Sequence, residues 1–286
     1  MTRGFLAALV MLAVAAATGC RASILTGTVR FANPHERRVD DLAARLRGEA
    51  DEQALLVIRD CLWQAGSIYT WADYKTLRLA VTRTEHRPIG DIEAMEVWLF
   101  DLAGGRLRIE NQAARLITVF DGWTWRTFVD GAETRDLQVR ADAYGEAVLA
   151  RRLAALPFAL LAGRQKVKYV GTRTGPAEAR LWHRLLVTYP ASAGWDAGDE
   201  TVLEIEKGSG RLDAALIRWA DAPFMGRPYR VDMDEWSEAD GLDLSRRWRL
   251  TPIDESGAPT GPVRYTFEVT SARFDVPTDV TTFIMP

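Results

Sequence analysis

Cysteine and histidine are scarce in this 286-residue chain: only Cys20, Cys61, His35, His86 and His183 are present. The familiar catalytic arrangements are missing too. There is no G-x-S-x-G elbow, H-E-x-x-H pair, phosphate-binding Walker loop or G-x-G-x-x-G turn opening a helix. No catalytic centre, metal site or cofactor is therefore expected, and the chain is read as a non-enzyme. No apolar run reaches the roughly 20 residues needed to span a bilayer. The formal net charge of −3 lacks the basic footprint of nucleic-acid binders. Low-complexity blocks are absent as well.

What is present begins at the N-terminus. One positive residue, Arg3, precedes residues 5–18, an uncharged stretch of small and apolar residues. That length suits the apolar core of an export signal, not a transmembrane helix. The following Ala17-Thr18-Gly19-Cys20 resembles the lipobox of bacterial lipoproteins, with Ala17 where Leu is more usual. The resemblance implies removal of residues 1–19 and acylation of Cys20, with palmitate-type chains as the membrane tether. Each buried methylene contributes about 0.8 kcal/mol, and stable anchoring takes more than one chain. Arg21 stands where an Asp would signal inner-membrane retention, which implies an outer-membrane address facing the periplasm. Removing residues 1–19 takes away Arg3 alone among the charged residues, so the mature chain remains mildly acidic.

Residues 20–38 read as the lipidated cysteine and a tether, with an extended stretch near 26–31. Residues 39–286 read as one β-rich domain. Helical spacing marks 40–66, with Gly48 as a break and Asp51 as an N-cap. Ala54, Leu55, Ile58, Cys61, Leu62 and Ala65 form one apolar stripe, so Cys61 is expected to be buried and unreactive. A second helical segment near 144–162 contains Pro157, where a break is expected. Between and after these segments the period changes to two, giving roughly ten antiparallel strands. Asp121-Gly122 reads as a type I′ hairpin turn, with further turns at Gly104-Gly105, Asp130-Gly131 and Gly208-Ser209-Gly210. One continuous sheet and two halves are both compatible with the pattern.

Candidate chemistry resolves mostly into structure. His35 and His86 lie in polar stretches and read as exposed loop residues, while His183 shares an apolar strand face. A hydrolytic triad would need His183 beside a carboxylate and a hydroxyl. Asp232, Asp234 and Glu235, and again Asp196, Asp199 and Glu200, lack calcium-loop spacing and read as solvated edges. Ten tryptophans are present. They suit β-packing or the wall of an apolar cavity. Residues 95–100 are apolar on both faces (Met95, Val97 and Leu99 against Trp98 and Phe100), which points toward a cavity wall.

Three features together resemble the Lol-type superfamily of lipoprotein carriers and receptors. They are the hairpin Thr118-Val119-Phe120-Asp121-Gly122-Trp123-Thr124-Trp125, the helical Leu156-Pro157-Phe158 and the closing Phe274-Asp275-Val276-Pro277. The resemblance spans residues 50–280 as architecture and about 15 positions as motif. It implies an α+β fold: a strongly curved antiparallel sheet, an incomplete barrel, with helices covering or plugging one face and acyl chains bound between. The expected function is an outer-membrane-anchored lipoprotein that binds a lipid or other apolar ligand. The alternatives are a structural or interaction lipoprotein of the envelope and an anchored hydrolase.

Overall fold

A computed structural model of the chain describes residues 22–24, 27–29, 34–162, 165–175, 180–190, 198–219, 228–279 and 281–286. Residues 1–19, expected to be an export signal, and Cys20 lie outside the described residues. The chain divides into two compact units, residues 1–40 and residues 41–286. In the first, β1 (Ala22–Ile24) and β2 (Gly27–Val29) form a small antiparallel hairpin. Helix α1 (Pro34–Glu49) begins in the first unit and ends in the second.

In the second unit Asp51 caps α2 (Glu52–Gln64), its carboxylate accepting from the Ala54 N–H at 2.8 Å. The expected stripe is buried, with Ala54, Ile58, Cys61 and Leu62 facing the core. The first helix starts earlier than the sequence pattern indicated and runs one residue past Gly48, so the break falls at Ala50-Asp51. A short helix that the pattern did not reveal, α3 (Ser67–Asp73), follows Gly66. Gly66 has φ 110°, and a Cβ there would sit 2.3 Å from the Gly241 carbonyl oxygen, so this close approach of two backbones needs glycine.

The strands are β3 (Thr76–Glu85), β4 (Ile92–Asp101), β5 (Arg106–Asn111), β6 (Leu116–Phe120), β7 (Trp125–Val129) and β8 (Ala132–Glu133). Helix α4 (Leu137–Leu153) comes next, N-capped by Asp136. Then follow β9 (Lys166–Thr174), β10 (Leu181–Thr188), β11 (Glu200–Glu206), β12 (Leu212–Arg218), β13 (Tyr229–Ala239), β14 (Leu242–Pro252) and β15 (Tyr265–Phe274). β3 to β15 form one continuous 13-stranded antiparallel sheet, ordered β8-β7-β6-β5-β4-β3-β15-β14-β13-β12-β11-β10-β9. α4 starts seven residues before the sequence pattern placed it, and Pro157 lies beyond its end, ahead of a 3₁₀ turn at Phe158–Ala162.

Turn chemistry departs from expectation at one place. Asp121 and Gly122 belong to a four-residue connection in which the Asp121 carboxylate accepts from the Trp123 and Thr124 N–H groups at 2.9 and 2.8 Å. Only Gly122 of the two has positive φ, so this is an Asx-type turn and not a type I′ turn. The two-residue turns with positive φ at both positions are Asp130-Gly131 and Asp240-Gly241.

The sheet is open, with β8 and β9 as its edges, and it must be curled. The Trp125 ring, opening β7, meets Tyr144 of α4 with ring centroids 5.5 Å apart. Two turns further along the same helix, Arg152 is ion-paired with Asp199, just ahead of β11. Strands β7 and β11 are nine spacings apart in the sheet. That is roughly 43 Å if flat, at ~4.8 Å per strand. The helix between Tyr144 and Arg152 covers only about 12 Å. Both contacts are possible only if the sheet bends around α4, as an incomplete barrel does. A single core follows, drawing Leu77, Phe120, Leu149, Leu203 and Phe267 into one cluster.

The outer face carries alternating charges, and the segment Thr281–Pro286 covers part of it. Phe283 is fully buried with the Arg106 guanidinium 5.0 Å from its ring centroid, and Arg108 donates to the Thr282 carbonyl at 3.1 Å. This explains the second apolar face of residues 95–100. Val97 and Leu99 face outward into a cleft shared with Val276 and Thr282, so they back this strap and do not line an interior cavity. Burial of a large ring sets the expected effect: Phe283→Ala should cost about 3–5 kcal/mol, read as a lower denaturant midpoint at unchanged slope. A loss below about 1 kcal/mol would show that the strap lies outside the cooperative unit.

Candidate functional site

The inner face of the sheet and the side of α4 pressed against it form the candidate site. Cross-strand register lines up Phe274, Leu77, Phe100, Leu107, Phe120 and Trp125 in one inward row. The next row holds Leu79, Trp98, Ile109, Thr118 and Thr127. Trp98 stacks on Trp248 at 5.8 Å and leans on Phe267 at 5.7 Å, making an aromatic wall across β4, β15 and β14.

Beside this wall lies a buried charged group that sequence reasoning missed. Arg83 of β3 places its Nε 3.0 Å from Glu96 of β4 and 2.9 Å from Glu146 of α4. The side chains are 17%, 0% and 11% exposed, respectively. Glu96 also accepts from the Trp98 indole N–H at 3.0 Å. Burial pushes the Glu146 carboxyl well above its usual range, and the neighbouring Glu96 carboxylate adds to the effect while Arg83 opposes it. Burial works against the Arg83 charge, yet Glu146 and Glu96 outweigh it and hold the guanidinium above its ordinary value.

α4 makes a second buried clasp at its other end. Arg152 pairs with Asp199 and lies over the rings of Tyr189 and Trp219, 4.8 Å from each centroid. Elsewhere the interior keeps polar groups with no hydrogen-bond partner among the described residues: the Trp125 and Trp248 indole N–H groups and the Thr118 hydroxyl. All three residues are buried on the sheet's inner side. The two best-formed clefts hold about 220 and 200 Å³. The larger opens at the sheet end between Cys61, Pro157, Arg211 and Trp236. Both fall below the usual few hundred Å³ of ligand pockets. Among the described residues, Leu149, Leu153, Phe158 and Leu161 join the inner face of the sheet in one packed core cluster.

The residues singled out from the sequence are placed as follows. Cys61 is buried and its thiol is pushed up to about 12 by burial, partly offset by the Leu212 N–H, which fits the inert reading. His86 sits after β3, half-buried, bonded to Asp91 at 3.0 Å and Thr266 at 2.9 Å. His35 is in the first turn of α1 and half-buried, not in an exposed loop as expected. His183 on β10 bonds the Tyr169 hydroxyl at 3.2 Å, and burial, then Lys207, lowers its proton affinity. No carboxylate or serine hydroxyl bonds it among the described residues. Asp232 and Asp234 lie on the outer face of β13, paired with Arg230 at 2.7 Å and Arg249 at 2.8 Å, while Glu235 pairs with Arg247. Asp199 corrects the solvated-edge reading, because Arg152 holds it in the interior; Asp196 lies outside the described residues. No group of metal-type ligands gathers among the described residues.

No protein-family model matches the chain, and no curated protein matches it in sequence. Solved structures do match its fold. A LolA superfamily protein from Nitrosomonas europaea superposes with a TM-score of 0.51 at 9% identity, covering 77% of this chain and 93% of its own. A domain assigned to outer membrane lipoprotein sorting from Vibrio parahaemolyticus gives 0.50 at 6% identity, over 82% and 97%. A DUF1329 family protein from Desulfovibrio piger gives 0.50 at 10% identity, over 88% and 98%. The molecule has the open-barrel α+β fold of these proteins, and at such identities the likeness is one of fold.

A buried hydroxyl without a partner loses hydration and gains nothing in return. Thr118→Val, which keeps the shape and removes the hydroxyl, should therefore stabilise the protein by about 1–2 kcal/mol, measured by denaturant unfolding. A destabilisation of that size would show that the hydroxyl is satisfied in solution.

Proposed function

We propose that this chain is a lipid-binding lipoprotein of the bacterial envelope, tethered through acylated Cys20 and holding an acyl chain or similar apolar ligand between the curled sheet and α4. The observation that carries the reading is the inner face itself. It is an aromatic surface enclosed by the sheet, yet it retains the Trp125, Trp248 and Thr118 donors with no acceptor among the described residues. A core evolved only for packing satisfies or excludes such groups, whereas an ester or carboxyl oxygen at the head of an acyl chain would accept from them. The likeness to a LolA superfamily protein and to a lipoprotein-sorting domain supports the same reading. So does the lipobox-like Ala17-Thr18-Gly19-Cys20, and with Arg21 it favours an outer-membrane site facing the periplasm. The role proposed is binding; His183, the residue a hydrolytic triad would use, bonds the Tyr169 hydroxyl.

One observation favours a second reading, a structural or interaction lipoprotein with the same fold. Among the described residues the inner face packs into one core cluster, and the two clefts described above are small. On the first reading, this closed form must open at α4 to admit a chain.

The two readings separate in one experiment. The Cys20→Ser chain is purified, extracted with organic solvent and analysed by mass spectrometry, and its tryptophan emission is followed while palmitate is added. Lipid in the extract, or a saturable emission change, is the expected result. An empty extract together with flat emission would leave the structural reading standing.

A further inference from the structure

We propose that Glu96 and Glu146 form a proton-operated latch on α4: with one proton shared between them the helix is seated against β3 and β4, and loss of that proton loosens the seat and opens the interior. What the opening admits rests on the ligand-binding reading above; the latch itself does not.

The geometry sets the charge problem. Two carboxylates from different elements converge on the single Nε–H of Arg83, at 3.0 and 2.9 Å, inside the protein. Glu96 is fully supplied as an anion, since one oxygen takes the Arg83 Nε–H and the other the Trp98 indole N–H. Glu146 is supplied less well: its buried Oε1 lies 2.9 Å from the same Arg83 Nε that Glu96 takes, and among the described residues it has no hydrogen bond of good geometry. Glu146 is therefore the group that keeps a proton, its carboxyl facing that of Glu96 across the one Arg83 Nε that both approach. Two carboxyl groups so close resist double ionisation.

The surroundings add little charge of their own. Along β3, Glu85 is occupied by Arg87 at 2.6 Å and Arg264 at 2.7 Å. β5, β6 and β7 present Asn111, Thr118 and Thr127 on the inward rows, all neutral. On α4 itself, Asp142 one turn earlier is bonded to Gln138. The charge balance at the seat thus turns on Arg83, Glu96 and Glu146.

The sign follows by linkage. Burial and Glu96 raise the Glu146 carboxyl in the folded state above its ordinary 4.5. Its contribution to seating is complete below that ordinary value and is lost as pH rises through the raised folded value. Opening is favoured by rising pH and releases one proton.

Hydrogen exchange of the α4 amides in the full chain, read by mass spectrometry across the acid-to-alkaline range, tests the latch without any ligand. The ratio of wild-type to Glu146→Gln protection should fall as pH rises, by up to about tenfold per pH unit beyond the folded-state value. Central amides of β3 and β15 should show no such trend. Glu96→Gln provides the second variant, because it leaves Arg83 to Glu146 alone. With the Glu96 charge gone and the Glu146 anion better seated, the proton affinity of Glu146 falls, so the alkaline loss of protection should weaken and move to lower pH. Parallel wild-type and variant profiles, or wild-type protection that rises with pH, would overturn the proposal. A pH-dependent helix in a protein that binds no palmitate would sink the ligand reading and leave the latch intact; palmitate binding with a pH-independent helix would do the reverse.

Discussion

The two edges of the sheet, β8 and β9, are consecutive in the chain, and residues 134–165 joining them carry α4. The rest of the structure depends on that constraint. A meander of thirteen strands whose two halves both pack on that one helix cannot lie flat. Once it curls, the helix lies between the two halves of the sheet and becomes the surface on which both pack. The middle of the sheet is where β3 meets β15, the first long strand and the last, so closing the fold requires a pairing between residues some 190 positions apart. Asp275 and Val276 secure that junction, with Asp275 accepting from the Lys75 N–H at 2.7 Å and the Val276 carbonyl from the Thr76 hydroxyl at 2.9 Å.

Much of this was legible in the sequence because it is local. Alternation marked the inner residues of β3, β10, β13 and β15, and the stripe through Ile58 and Cys61 marked α2 together with its Asp51 cap. Strand neighbours were not legible. Alternation tells which face a residue takes, but the partner across the ladder is set by tertiary packing. Short α3 escaped because seven residues hold too few turns for a period. The early start of α4 escaped because Leu137 is exposed and Arg140 and Asp142 show no apolar stripe.

The charged interior was missed for a more instructive reason. Glu96 sits inside an apolar run, at the same inward phase as Trp98 and Phe100, and the neighbouring hydrophobics dominate the reading of that strand. An acidic residue in phase with inward aromatics is the one signal that would have found it. Glu146 and Arg152 are likewise embedded among Ala147, Val148, Leu149 and Ala150, and their partners come from strands remote in sequence. Asp199 looked like part of an acidic cluster because proximity in sequence was the only information available. In space it belongs to Arg152.

These clasps matter because α4 is buried on nearly every side from Ala143 to Leu153. A helix apolar all round has no unique orientation set by hydrophobicity alone. Glu146 and Arg152 are six residues apart, which at 3.6 residues per turn points them to different sides of the helix. Each meets a partner on a different half of the sheet, so together they fix both rotation and axial position. Buried ion pairs contribute little net stability against well-packed apolar substitutes, but breaking one partner costs about 3–5 kcal/mol. The two clasps therefore serve better to define one seated position than to strengthen the fold. They also differ in kind. Arg152 and Asp199 balance in charge, whereas Arg83 meets two acids and needs a proton to balance. The Glu146 side is the one that pH can release while the Arg152 side holds, which makes α4 a plug hinged at its C-terminal end.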